Sequence, residues 1–248
     1  VLGGPGPNEW SDDPQSVWVD VDGRLHLKIR NVAGVWRCAE VVLEESLGYG
    51  TYRFQLGTDT TTFDPRIVVG LFTYLDDLHE IDIEMSRWAD AQNDDGQFVV
   101  QPYDSPGHTE RFPVVLNDEF STHSFRWAPG SAFFQSSRGL HNAVPPPSEV
   151  IHAWTFAGGG VPTDGTEKVH INLWLFQGIA PSDAQEVEVV VERFEFLPLQ
   201  ADIPAMGSGA VLVTGLLLVA AGVWIANRTK RGAEPAHSPS GRGFLLDG

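Results

Sequence analysis

Cysteine is almost missing from this chain: Cys38 stands alone among 248 residues. That excludes an intrachain disulfide and any cysteine-built metal site, and leaves the thiol the part of a small buried apolar group. Positive charge is scarce as well, with 16 Lys and Arg against 33 Asp and Glu and a net charge of −17. Residues 206–248 hold four of the bases (Arg228, Lys230, Arg231, Arg242) and two of the acids (Glu234, Asp247), so the remainder carries 12 against 31. So acidic a surface repels phosphate backbones and excludes nucleic acid as a partner, whereas a neutral polysaccharide is compatible with it. No signal-peptide pattern opens the chain, whose first residue is Val, and it reads as a mature form or a fragment. Amphipathic helices are lacking too, since no apolar stripe recurs at three- and four-residue spacing before residue 200.

What is present is strand material. Hydrophobic residues make up 42%, and eight Trp with 14 Phe suit a sheet interior or a cleft in which sugar rings stack on indole faces. The stretch SVWVDVDGRLHLKIR is two alternating runs joined at Asp22-Gly23, a strong hairpin signal. Further strands are predicted at 49–56, 66–74, 79–88, 97–103, 110–116, on either side of Pro129-Gly130, at 169–176 and at 186–196. So many strands with no crossover helix predict an all-β domain over residues 1–200, two antiparallel sheets packed face to face as a β-sandwich.

Beyond this domain the composition changes. Residues 201–207 read as a linker and 208–227 as a transmembrane helix, within an uncharged run from Ile203 to Asn227. About 20 residues as a helix span roughly 30 Å, the thickness of a bilayer's hydrocarbon. Arg228, Lys230 and Arg231 follow at once, which by the positive-inside rule keeps that end in the cytoplasm and the β domain outside the cell. Residues 228–248, rich in Pro, Gly and Ser, read as a short disordered cytoplasmic tail. The chain has no LPxTG sorting signal, so covalent attachment to a cell wall is not supported.

The chemistry concentrates in LHEIDIEMSRW, where Glu80, Asp82 and Glu84 occupy every second position. On a strand these side chains share one face while Ile81 and Ile83 take the other. Like charges so close repel, and at least one carboxyl should hold its proton to higher pH. A retaining glycosidase needs a carboxylate nucleophile and a carboxylic acid about 5–5.5 Å apart. The Cα atoms at i and i+4 are ~13 Å apart, so two Glu side chains leaning together on a curved sheet close most of the gap, with the shorter Asp beneath. A solvated polar strand face and a Ca²⁺ or Mg²⁺ site are the competing readings of the same three acids.

HEIDIE is similar to the E-I-D-I-E signature of glycoside hydrolase family 16, the jelly-roll, concanavalin-like group that includes lichenases and laminarinases. RCAEVVLEESLGYGTYRF, VGLFTY, QFVVQPY, THSFRWAPGS and VHINLWLFQG follow the order and approximate spacing of family segments and extend the resemblance over most of residues 8–198. The resemblance implies Glu80 as nucleophile, Asp82 as its assisting acid and Glu84 as general acid and base. It implies Glu40, Tyr74, Gln101, Asn172 and Trp174 as substrate-binding residues, with Trp88 adding a stacking face. Catalysis would need no cofactor, and a structural Ca²⁺ common in the family would have ligands that these residues do not identify. With no residue inserted between Asp82 and Glu84, the motif resembles the lichenase version. Leu78 and His79 stand where the family commonly has Trp-Asp, a cysteine that lichenases pair with the Cys38 position is missing, and Trp174, Leu175 and Phe176 replace the small polar residues usual in lichenase. The expected activity is retaining endo-hydrolysis of a β-linked polysaccharide, a β-glucan first; a carbohydrate-binding or adhesion module and a transglycosylase remain open on the same fold.

Overall fold

The computed structural model describes residues 2–199. The linker, membrane helix and tail expected at 201–248 lie outside the described residues. Among the described residues no helix is long and apolar enough to cross a membrane. Regular structure is almost wholly β: β1 (Glu9–Trp10), β2 (Val17–Val19), β3 (Leu25–Val32), β4 (Val35–Ser46), β5 (Gly50–Gly57), β6 (Ile67–Asp76) and β7 (His79–Met85). There follow β8 (Gly96–Val100), β9 (Thr109–Phe112), β10 (Phe120–Ala128), β11 (Ser131–Arg138), β12 (Val150–Ala157), β13 (Lys168–Leu175) and β14 (Val187–Pro198).

The strands form two layers in one continuous path. The first runs β12-β11-β10-β5-β14-β3 with β2 alongside β3; the second runs β4-β13-β6-β7-β8-β9. The layers join where the tip of the β3–β4 hairpin pairs Arg30–Val32 with Val35–Arg37. At the opposite side the two edge strands meet: His152 of β12 bonds Glu110 of β9 at 2.9 Å, and its ring stacks on Phe112 at 4.8 Å. The sandwich is therefore nearly closed, which shields both free edges from pairing with another chain.

Alternation explains the core. Ile81, Ile83 and Phe98 of the second layer are fully buried, as are Phe54, Phe125 and Phe134 of the first. Phe98 stacks on Phe134 across the interior with centroids 5.0 Å apart. The β10–β11 hairpin turns at Pro129-Gly130, with Gly130 at φ 69°, the positive value that the second central position of a type II turn requires.

The expected sandwich is present, with three differences. It is not antiparallel throughout, because β1 lies parallel to β4. Two full strands, β4 and β12, lay outside the predicted set: β4 ends in the charged run Glu44–Glu45, and β12 is an edge strand exposed at alternate positions. Three predicted strands end early, since Trp88 turns to φ 54° after β7, Pro102 follows β8, and Pro113 has no N–H to continue β9.

Removing the ring that spans the two layers should be costly. Phe98→Ala is expected to lose about 3–5 kcal/mol, against less than about 0.5 kcal/mol for Val21→Ala on the surface, read from urea unfolding midpoints.

Candidate active site

Strand β7 lies inside the second layer, paired to β6 on one side and β8 on the other. Its odd-numbered Ile81, Ile83 and Met85 are buried in the core, so Glu80, Asp82 and Glu84 share the opposite face of the strand. Cross-strand partners extend that face in rows. One row reads Glu40, Asn172, Gly70, Glu84, Gln97, Arg111 across β4, β13, β6, β7, β8 and β9. The next reads Val42, His170, Phe72, Asp82, Val99, Thr109. In the third, Lys168 and Tyr74 lead to Glu80, whose carbonyl accepts the Gln101 N–H at 3.2 Å. Gly70 keeps the middle of the first row low, because a Cβ there would meet Asn172 Oδ1 at 2.4 Å.

The nine residues singled out from the sequence thus fall into one region. Trp174 follows Asn172 by one alternation and is buried, and Trp88, just after β7, meets it edge-on with centroids 6.1 Å apart. One face of Trp88 is occupied by the Arg111 guanidinium, 5.9 Å from the ring centroid. Trp88 is held at φ 54° by Ser86 Oγ, which accepts its N–H, and by the Ala89 N–H donated to the Pro65 carbonyl, an unusual conformation for so bulky a residue. Tyr74 donates its hydroxyl to Asp77, and the side-chain oxygen of Gln101 accepts from the Tyr103 N–H. His79 pairs with Asp76 in the β6–β7 turn, away from the acids, as alternation requires.

Burial governs the electrostatics. Asp82 is pushed well above the usual carboxylate range, first by loss of solvation, then by the charges of Glu84 and Glu80 and by a hydrogen bond to Glu80. Glu84 is pushed up to about 7 by burial, against the pull of a hydrogen bond from Gln97 and the charge of Arg111. Asp82 Oδ1, Asn172 Oδ1 and Trp88 Nε1 are buried polar atoms with no hydrogen-bond partner among the described residues. Buried polar atoms left unmet are open to water or a ligand; Trp10 Nε1, Ser16 Oγ, Arg37 Nε, Thr73 Oγ1 and Glu167 Oε1 are others among the described residues, so the feature is not confined to this face. Cys38 is inert by contrast: it is fully buried, its thiol is raised to about 12, and its Sγ lies 3.3 Å from Asn8 Oδ1.

Three residues of this face escaped the sequence reading. Gln97 donates to Glu84 Oε2 at 3.0 Å, Arg111 donates to Gln97 Oε1 at 2.7 Å, and His170 Nδ1 meets Glu40 Oε1 at 2.5 Å while stacking on Phe72 at 4.9 Å. Parity could have flagged His170, two places before Asn172, and Gln97, four before Gln101; nothing local marks Arg111. Among the described residues no group of three or more His, Cys, Asp or Glu side chains is disposed to hold a metal ion.

The described residues form an all-β jelly-roll sandwich with Glu80, Asp82 and Glu84 in a row on an inner strand of one layer. No family model and no curated protein matches the chain. Solved structures do. A prokaryotic β-1,3-1,4-glucanase (lichenase) from a mouse hindgut metagenome superposes with a TM-score of 0.56 at 18% identity, over 77% of this chain and 91% of that one. A β-1,3-glucanase from Mycobacterium marinum gives 0.59 at 16% identity, over 78% and 82%. An immunostimulatory antigen and pseudo β-1,3-glucanase of Mycobacterium tuberculosis gives 0.60 at 15% identity, over 79% and 84%. The chain has the fold of the family 16 glycoside hydrolases.

The crowding of acids has a measurable sign. The raised carboxyl of Asp82 contributes stability below the ordinary Asp value near 3.8, and that contribution is lost as pH rises through its folded value. Asp82→Asn should therefore stabilise the protein more at pH 8 than at pH 5, read as a Tm gain that is larger at the higher pH.

Proposed function

We propose that this chain is a retaining endo-glycosidase that hydrolyses a β-linked polysaccharide, a β-glucan first. The observation that carries the reading is the alternation of Glu80, Asp82 and Glu84 on one face of β7, with Glu84 raised to about 7. Glu80 attacks the anomeric carbon while Glu84, still protonated, gives its proton to the departing glycosidic oxygen. Glu84, now a carboxylate, then takes a proton from water, which cleaves the glycosyl ester on Glu80. Asp82 shares a proton with Glu80 by their hydrogen bond and thereby tempers the nucleophile. Glu40, Tyr74, Gln101, Asn172 and Trp174 line the same face and would hold the sugar, with the unmet Asn172 Oδ1 accepting a hydroxyl. The uncharged run at 203–227, with three bases behind it, would tether this domain to the outer surface of a membrane.

A second reading, a carbohydrate-binding or adhesion module, draws on the pseudo-glucanase among the structural neighbours, where the same fold carries that description. Reducing-sugar release from a panel of β-glucans separates the two. The hydrolase reading expects turnover by the wild type, a loss of about 10²–10⁴-fold in Glu80→Gln and Glu84→Gln, and a basic limb of kcat/KM near pH 7 as Glu84 loses its proton. Binding without product on every glycan would remove it, as would mutants as active as the wild type.

A further inference from the structure

Arginine has only donors, so the oxygen that receives the Arg111 Nε–H must be the side-chain carbonyl of Gln97. The 2.7 Å bond from Arg111 thereby fixes which way the Gln97 amide lies, and its NH₂ group is the end that reaches Glu84 Oε2 at 3.0 Å. In a protonated carboxyl the carbonyl oxygen is a stronger acceptor than the hydroxyl oxygen, so the NH₂ donor favours Oε2 as the carbonyl and the acidic hydrogen of Glu84 on Oε1. The geometry points to Arg111 as a positioning residue that acts through Gln97 to fix the oxygen of Glu84 from which the proton leaves. The inference deepens the hydrolase reading and rests on it for its kinetic consequences, though not for the relay itself.

The surroundings leave this task to one chain of contacts. From β7 itself Asp82 and Glu80 share the face of Glu84; β6 presents Gly70, Phe72 and Tyr74; β13 presents Asn172 and His170, with Glu40 of β4 beyond them. β8 contributes the Gln97 amide, and β9 contributes Arg111, the cation whose charge lowers Glu84 against its burial. Arg111 is itself exposed, and its guanidinium is steadied by the Trp88 ring 5.9 Å away. Without the Arg111 donor the amide is free to turn over and offer Glu84 an oxygen, which accepts a bond only from the protonated acid. Charge loss and amide reversal both favour that protonated form, so the two effects act in the same direction.

The test uses the full chain with Arg111→Met and Arg111→Lys. In Arg111→Met the basic limb of kcat/KM is expected to move up by about 0.5 pH unit or more; kcat/KM should fall about tenfold on a β-glucan but less than about threefold on a dinitrophenyl glycoside, whose leaving group needs no proton. Arg111→Lys, which keeps a charged donor, should recover part of both effects. An unmoved limb with equal losses on the two substrates overturns the inference. If the wild type turns over neither substrate, the hydrolase reading fails alone, and the relay is read from the Glu84 carboxyl titration by ¹³C NMR. An upward shift in Arg111→Met then supports the relay, and an unchanged titration overturns it.

Discussion

The two-residue period of β7 is the constraint on which the site depends. Its even positions are acids and its odd positions are Ile81, Ile83 and Met85, so the strand fits its place in only one register. A slip by one residue would drive three carboxyls into the core and leave the isoleucines on the opposite face. Burying those apolar side chains stabilises the chain by roughly 1.5–3 kcal/mol each, enough to hold the acids together against their mutual repulsion. The same burial then acts on the acids. They sit at the foot of a face lined by Phe72, Trp174 and Asn172, where lost solvation raises Asp82 and Glu84.

Pairing in the second layer turns that strand into a site. Glu84 faces Gly70 on one side and Gln97 on the other, the first leaving space and the second a hydrogen bond. Asp82 faces Phe72 and Val99, which offer no polar atom, and one of its oxygens remains unmet. Two carboxyls two residues apart on one strand thus meet different surroundings. Differing surroundings are what push paired acids toward separate roles.

How much of this was legible in the sequence follows from the distance over which each feature is decided. Alternation and turn chemistry are local, so the β2–β3 and β10–β11 hairpins, the strand β7 and the common face of its acids could all be read directly. The sandwich followed from many strands without a helix. The buttressing of the acids did not, because it depends on register between strands: Gln97 meets Glu84 across 13 residues, Arg111 meets Gln97 across 14, and His170 meets Glu40 across 130. Strand β4 shows the same limit. Its apolar residues and its Glu44–Glu45 end make sense only once β13 lies against it, pairing Glu40 with Asn172. Trp88 is a subtler case, since the contact of Arg111 with one of its faces depends on the register of β8 and β9 and is invisible in the sequence.

The fold by itself leaves the chemistry undecided, because neighbours of nearly equal similarity include a β-1,3-glucanase and a pseudo β-1,3-glucanase. What separates turnover from binding on such a scaffold is finer than topology. A lectin site needs hydroxyl partners and a ring platform, and Glu40, Asn172 and Tyr74 would serve it as well as they serve an enzyme. It has no use for a carboxyl kept protonated near neutral pH beside two further acids, an arrangement that destabilises the folded chain as pH rises. A cost of that kind is what the proposed proton transfer from Glu84 would require. The proposed function therefore rests on the cluster at Glu80, Asp82 and Glu84 and not on the similarity of the surrounding sheet.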